Sequence, residues 1–305
     1  MTRDEELRHL RLLAQVAGIG TVDVVVPQSE HVVVDGIRLH YLEWGTAGRT
    51  PIVFLHGGAL NAHSWDAVCL ALRVDFHCVA LDLRGHGDSE WSPECDYSFD
   101  AHLRDLEGFL DLLAADQFVL VGQSLGGINA IRYAARHCGR LAGLVVIDAG
   151  PHVQESAGTD RIVDFTLGPG EFESLDEALE HSLAFNPRRD PRLLRHSLYR
   201  HLRRLPDGRW AWKRDRRHLS RERFTHLVAQ VHALAAEAEA IGCPTLIVRG
   251  RDSDVFSGDA ATAFADLLHR GRWVTVEGAG HNVQGDNPRG LLNVLQPFLT
   301  EVEPE

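Results

Sequence analysis

Apolar residues along the chain fall into short runs, each followed by turn residues and then by a helical pattern. The runs of the buried-strand type are Pro51–Leu55, His77–Leu81, Phe118–Val121, Leu141–Ile147, Thr245–Val248 and Trp273–Val276. Continuous apolar runs of this length are typical of strands that are buried on both faces. Strands that alternate with helices predict a mostly parallel sheet covered by helices on both sides.

The regions between and before these runs supply the covering elements. The predicted covering helices are Ala62–Ala71, Phe99–Leu113, Gly126–His137, Ala260–His269 and Arg289–Thr300. The first eighteen residues have leucines at roughly helical spacing, which predicts an amphipathic helix docked on the body. Two β-rich segments, His31–Val34 and Ile37–Glu43, flank Asp35-Gly36, a dipeptide that suits the tight turn of a hairpin.

The alternation of strands and helices stops between residues 151 and 240. This block contains helical patterns and loops without a convincing buried strand. We therefore predict a core domain formed by residues 1–150 and 241–305, with a helical cap at 151–240 above its pocket. Five aromatic residues of the cap could line an apolar pocket or pack a small core of the cap itself: Phe165, Phe172, Phe185, Trp210 and Trp212.

A strongly basic segment lies inside this acidic protein. The whole chain has a formal charge of −12, whereas residues 188–223 contain thirteen arginines and Lys213 against four acidic residues. One interpretation is a solvated helical face with intramolecular ion pairs. The other is attraction of an anionic substrate or of an acidic neighbouring subunit, which leaves a homo-oligomer open.

Composition and motifs exclude several functional classes. The net negative charge argues against a nucleic-acid binder, because phosphate contacts need a positive surface. No apolar run is long enough to predict a membrane span, and the charged N-terminus is unlike a secretory signal. Five scattered cysteines form no C-x-x-C pair, which favours a reducing, cytoplasmic compartment. No motif for a metal or an organic cofactor occurs, so we expect neither.

The strongest chemical signal is the segment GQSLGG at residues 122–127. It follows the run Phe118–Val121 and precedes a helical pattern. A G-x-S-x-G sequence between a strand and a helix is typical of a nucleophile elbow, in which glycines permit a sharp turn that exposes the serine. Ser124 is therefore the predicted nucleophile.

A serine hydroxyl needs a base, and the base needs a carboxylate. His281 lies in a glycine-rich loop after the run Trp273–Val276, at an edge where parallel sheets collect active sites. Two carboxylates, Asp252 and Asp254, follow the run Thr245–Val248. The chain order serine, aspartate, histidine is the one expected of α/β hydrolases.

Acyl transfer also needs donors for the oxyanion. The backbone N–H of Leu125 directly follows the predicted nucleophile, and the glycine-rich loop after Pro51–Leu55 offers a second donor, most simply from Gly58. We expect His56 to brace this loop rather than to act as a base.

Taken together, these motifs resemble the α/β-hydrolase superfamily over nearly the whole chain. The matching segments are HGG at 56–58, DLRGHGDS at 82–89, GQSLGG at 122–127, RGRDSDV at 249–255 and GAGHNVQGDNP at 278–288. The resemblance implies an α/β-hydrolase fold with a helical cap, a structural role for the DLRGHGDS segment, and Asp254 as the triad acid. Many relatives place this acid one residue earlier, where this chain has Ser253.

The same resemblance implies a serine hydrolase that acts on a small-molecule carboxylic ester through an acyl-enzyme. Epoxide hydrolases and haloalkane dehalogenases use an aspartate at the elbow, unlike this chain. One alternative is a C–C bond hydrolase of aromatic ring-fission products, whose oxyanion loop usually contains a proline that HGGALNAHSW lacks. Others are a perhydrolase-type relative and a ligand-binding member without turnover.

Overall fold

The central element is an eight-stranded sheet. The computed structural model describes residues 2–20, 23–113, 115–153 and 156–303. The strands of the sheet are β1 (Gln28–Val34), β2 (Ile37–Trp44), β3 (Pro51–Leu55), β4 (His77–Leu81), β5 (Phe118–Gln123), β6 (Leu141–Ile147), β10 (Thr245–Gly250) and β11 (Gly271–Val276). The labels β7 to β9 belong to a smaller sheet. Each of the six runs predicted as buried strands lies within one of these strands.

The strand order is β1-β2-β4-β3-β5-β6-β10-β11. The pairs β1/β2 and β2/β4 are antiparallel, and all other neighbouring pairs are parallel. Asp35 and Gly36 both have positive φ and turn β1 into β2, as the hairpin prediction required. The predicted fold class, a mostly parallel sheet flanked by helices, is confirmed.

Helices cover both faces of this sheet. They are α1 (Arg3–Val16), α2 (Asp66–Leu72), α3 (Phe99–Leu112), α4 (Leu125–His137), α9 (Gly258–Leu267), α10 (Val283–Asp286) and α11 (Pro288–Val302). Alternate side chains of each strand enter two separate apolar clusters. Val53 and Leu55 of β3, for example, join the cluster under α3 and α4, whereas Ile52 and Phe54 join the cluster under α2 and α11. Both faces of the sheet are therefore buried, which explains its continuous apolar runs.

The chain between β6 and β10 contains the region that the sequence predicts as a cap. Its elements are α5 (Ala157–Leu167), β7 (Glu171–Phe172), α6 (Leu175–Phe185), α7 (Pro191–His201), β8 (Leu202–Arg204), β9 (Trp210–Trp212) and α8 (Arg221–Ala238). The strands β7, β9 and β8 form a three-stranded sheet that the sequence pattern did not predict. Phe172 and Trp212 pack with Leu175, Leu198 and Leu202, so these two aromatic residues belong to a small core of this region.

The position of α8 differs from the predicted domain boundary. The sequence pattern assigned all residues up to 240 to the cap. Instead, Val231, Leu234 and Ala238 of α8 pack in the same apolar cluster as the sheet residues. The helix therefore belongs to the layer that covers the sheet, and the cap elements end before it.

The N-terminal helix α1 contacts both parts of the molecule. Leu10 and Ala14 are buried in the apolar cluster beside α2. On the opposite side, Glu6 forms an ion pair with Arg200 of α7, and the ring of His9 lies 4.7 Å from that of His196. The helix therefore joins the core to the cap. No helix in the described parts of the chain is both long and apolar enough to cross a membrane.

Candidate active site

Ser124 lies at a strained turn between β5 and α4. Its φ of 51° and ψ of −117° are outside the regions that non-glycine residues normally occupy. A Cβ added at Gly122 would lie 2.3 Å from the carbonyl oxygen of Gly126, and one added at Gly126 would lie 2.3 Å from that of Leu55. The two glycines therefore allow the helix to approach the strands closely, and the half-buried serine is presented at the C-terminal edge of the sheet.

Replacing Gly126 by alanine is expected to destabilise the protein. The new methyl group would collide with the backbone of β3, which moves only if α4 shifts, and overpacking of this kind costs about 1–3 kcal/mol. Gly139→Ala is the matched control, because an added Cβ there has no neighbour within 4 Å. Urea unfolding should separate the two variants, and equal midpoints would show that the elbow tolerates the methyl group.

His281 is held by a carboxylate from the neighbouring strand end. Its Nδ1 lies 2.8 Å from Oδ2 of Asp148, which directly follows β6 and has a φ of 50°. The Asp148 side chain is fully buried, whereas 19% of the His281 side chain is exposed. An acceptor at Nδ1 leaves Nε2 as the ring nitrogen that can take a proton.

The carboxylate of Asp148 is fixed by three donors. Its Oδ1 accepts the N–H of Gly250 at 3.0 Å, and its Oδ2 accepts the hydroxyl of Ser253 in addition to the His281 ring. Ser253 Oγ in turn accepts the N–H groups of Val255 and Phe256 at 3.3 and 3.4 Å. Because these amides occupy the acceptor side of the hydroxyl, its proton is directed towards Asp148.

The expectation that Asp254 holds the histidine is not met by the structure. The Asp254 carboxylate forms a two-pronged ion pair with Arg161, at 2.7 and 3.1 Å, and its side chain is 41% exposed. Burial alone would raise the pKa of Asp254, but the Arg161 ion pair lowers it overall. Asp252, the other candidate, faces Arg188 at 3.3 Å. The arginines of the cap therefore engage both carboxylates, and Asp148 takes the place beside His281.

Two backbone N–H groups near Ser124 have no partner. Within the described residues, the amides of Gly58 and Leu125 make no hydrogen bond. Gly58 is exposed, and an added Cβ there would have open space around it. A Cβ added at the preceding Gly57, by contrast, would lie 3.2 Å from Ser124 Cβ, which places this loop beside the elbow. Both predicted oxyanion donors are therefore free of protein acceptors.

Two further side chains fix the loops around the elbow. Gln123 is almost completely buried and donates through Nε2 to the carbonyl oxygen of His281 at 3.0 Å. His56 accepts the N–H of Leu83 at Nε2, so its Nδ1 donates to the carbonyl oxygen of Gly57. His56 therefore braces the loop, as expected. The role of Gln123 was missed, because the residue preceding the serine carries no motif signal.

The DLRGHGDS segment is held by internal ion pairs. Asp82 Oδ2 lies 2.7 Å from Nδ1 of His40, and its Oδ1 accepts the N–H of Ala62. His40, Asp82 and Asp88 form a group of potential metal ligands within the described residues. However, the Asp88 carboxylate forms an ion pair with Lys213. Both oxygens of Asp82 accept hydrogen bonds from protein donors. The chemistry of this group fits an internal ion-pair network.

Comparison with known proteins places the chain in a family. The model of the α/β hydrolase fold family matches residues 50–288. The esterase Rv0045c of Mycobacterium tuberculosis is 33% identical, over 98% of this chain and 99% of its own length. A solved structure of that esterase has a TM-score of 0.76 at 30% identity and covers 97% of this chain and 98% of its own.

A second solved structure is that of E-2-(acetamidomethylene)succinate hydrolase. It is 25% identical to this chain, with a TM-score of 0.78, and it covers 90% of this chain and all of its own. The full-length similarity to an esterase, the matched family model and the sheet topology agree. The chain belongs to the α/β hydrolase fold family.

Proposed function

We propose that this protein is a serine hydrolase that cleaves a small-molecule carboxylic ester, with Ser124 as nucleophile, His281 as base and Asp148 as the acid of the triad. The observation that carries the proposal is the 2.8 Å contact between His281 Nδ1 and a buried carboxylate beside a strained serine elbow. Asp148 thereby replaces Asp254 in the assignment, since Asp254 pairs with Arg161.

In the proposed first step, His281 Nε2 takes the proton of the Ser124 hydroxyl while its oxygen attacks the ester carbonyl. Asp148 keeps the proton of the ring on Nδ1 and stabilises the imidazolium that forms. The resulting oxyanion accepts the N–H groups of Gly58 and Leu125, and loss of one such donor typically costs about 3–4 kcal/mol of barrier. His281 then returns the proton to the departing alcohol.

In the second step, water attacks the acyl-enzyme with His281 again as the base. The unliganded site need not be tight, because catalytic hydrogen bonds often shorten only when substrate binds. Accordingly, Ser124 Oγ has no hydrogen bond to His281 within the described residues. Without substrate, the fully buried Asp148 carboxylate and the hydrogen bond from Gln123 hold the loop of His281 in place.

The ester substrate is supported by the full-length similarity to an esterase. A direct test is incubation with p-nitrophenyl esters of increasing acyl length, together with labelling by a fluorophosphonate. Turnover with a burst of p-nitrophenol would support the acyl-enzyme route. Labelling without ester turnover would redirect the search to C–C cleavage, peracid formation or ligand binding, and a ring-fission dienoate would test the first of these.

Ser253→Ala is expected to lower kcat/KM for an ester by about tenfold to a hundredfold, because a hydrogen bond to a charged group contributes about 1.5–3 kcal/mol. Without this hydroxyl, the carboxylate of Asp148 would lose one of the donors that fix it against the His281 ring. The loss should therefore appear mainly in kcat.

Ser253→Thr is the matched control, since it retains the hydroxyl. A purely structural serine would change stability without lowering kcat. An alanine variant with the activity of the wild type would rule out a positioning role for Ser253.

A further inference from the structure

A cavity lies near the site, beside the predicted cap. Its volume is about 200 Å³, and it is bounded by α1, the turn after β3, the start of α7 and α10. Neither Ser124 nor His281 lines it. Two of its wall residues are close to the site in sequence, because Leu60 follows Gly58 by two positions and Asn282 is next to His281.

Arg189 is the unusual residue of this cavity. Most arginines in the basic segment are paired, for example Arg195 with Asp176 and Arg221 with Asp164. Arg189 is half-buried, and within the described residues its guanidinium has no hydrogen bond and no ion pair. Burial lowers the pKa of Arg189, and the nearby Asp286 opposes this shift. A Cβ added at Gly285 would lie 2.6 Å from the Nη1 of Arg189, so the charge is held against the turn that follows His281. A guanidinium without a protein partner has all of its donors available to an anionic ligand.

Other polar groups of the wall also lack partners. The Gln284 side chain is 1% exposed, and neither atom of its amide has a hydrogen bond within the described residues. Oδ1 of Asn282 is also buried without a hydrogen bond within the described residues. Burial lowers the pKa values of His9 and His201 to about 4, so at neutral pH both rings are uncharged. Besides charged side chains that have protein partners, the cavity therefore offers Arg189 and neutral hydrogen-bonding groups.

Two carboxylates also line the cavity, but protein donors engage both. Asp190 accepts Nε and Nη2 of Arg192. Asp286 accepts Nδ2 of Asn186 and the N–H of Gly280. Asp286 is near enough to raise the pKa of Arg189, but neither carboxylate forms an ion pair with Arg189 among the described residues. The guanidinium donors therefore remain available to a ligand.

We propose that this cavity is a binding site for a small carboxylate or phosphate anion, held by Arg189 and the Gln284 amide. The guanidinium suits both groups, because it offers paired donors to two oxygens. The anion is either the free ion or a carboxylate at the distal end of an ester substrate. The second case alone rests on the proposed esterase function.

The test uses the full chain carrying Ser124→Ala, so that binding is measured without turnover. Succinate and inorganic phosphate are titrated calorimetrically in low-salt buffer against this protein and against the same protein with Arg189→Met. Arg195→Met is the matched control, because it removes an equal charge six positions further along the chain, in α7, and Arg195 does not line the cavity. We expect Arg189→Met to weaken binding by about tenfold or more, and Arg195→Met to leave it unchanged.

Thermal unfolding shows whether the variant folds. Without added anion, Arg189→Met should unfold close to the temperature of its parent, because Arg189 makes no hydrogen bond or ion pair within the described residues. In the Ser124-containing enzyme, a selective loss of kcat/KM for p-nitrophenyl hydrogen glutarate against p-nitrophenyl butyrate would identify the substrate's own carboxylate. Loss of succinate or phosphate binding alone would identify a free anion. Absence of binding at millimolar concentration, or equal binding after Arg189→Met, would overturn the proposal.

Discussion

Ser124→Ala should reduce kcat for p-nitrophenyl butyrate by about 10⁴ to 10⁶-fold, the range seen when a triad nucleophile is removed. The alanine has no hydroxyl for His281 to deprotonate, so neither an acyl-enzyme nor fluorophosphonate labelling can occur. The loss should be chemical rather than structural, because alanine adds no atoms to the tight contact between α4 and β3. Steady-state kinetics and labelling check both points on the same protein.

The double variant Ser124→Ala with His281→Ala makes the test sharper. Residues that act as one unit are not additive, so the double variant should be about as slow as either single variant. Independent multiplication of the two losses would show that the residues do not share a step. Retention of labelling in Ser124→Ala would remove Ser124 from the mechanism.

Asp148→Asn is expected to lower kcat by about 10³ to 10⁴-fold with little change in urea stability. The amide presents an N–H group where His281 needs an acceptor, so the ring is driven towards the wrong tautomer. The shape of the side chain and its contact with Gly250 are otherwise preserved. Asp254→Asn is the matched control, because Asp254 pairs with Arg161 on the surface, and its activity should stay within a few-fold of the wild type.

A carboxylate supplied from the next loop should partly rescue the first variant. Ser253 Oγ contacts the same oxygen of Asp148 that His281 contacts. Asp148→Asn combined with Ser253→Asp is therefore expected to recover about tenfold or more of the lost kcat, as one restored charged contact would allow. The opposite pattern, in which Asp254→Asn inactivates and Asp148→Asn does not, would return Asp254 to the triad.

The positions of Ser124 and His281 could be predicted because each lies in a local pattern of glycines after a buried strand. The proposed acid of the triad could not be chosen from such a local pattern. Strands β6 and β10 are parallel neighbours, with Ile147 paired to Val248, so the loops that follow them end side by side. A carboxylate on either loop can reach the histidine. Asp148 directly follows a buried strand, as Ser124 does. No motif surrounds Asp148, however, so the sequence gives no signal that selects it.

The cap region was the least predictable part of the fold, for two physical reasons. Its strands are two or three residues long, too short for a periodic pattern. The helix α8 also continues the helical pattern of the preceding segment, although tertiary contacts of Val231 and Leu234 place it against the sheet. The core strands were predictable because burial on both faces leaves a continuous apolar signal.

The double attachment of α1 bears on how substrate reaches the cleft. Opening the cap at α7 requires separation of Glu6 from Arg200 and of the His9 ring from His196. Release of Asn61, which donates to the carbonyl oxygen of Arg200, is needed as well. Any opening at this side would therefore be coupled to the docking of the N-terminal helix. Undocking of this helix, by cleavage or by capture on another surface, would change turnover without touching a reacting atom.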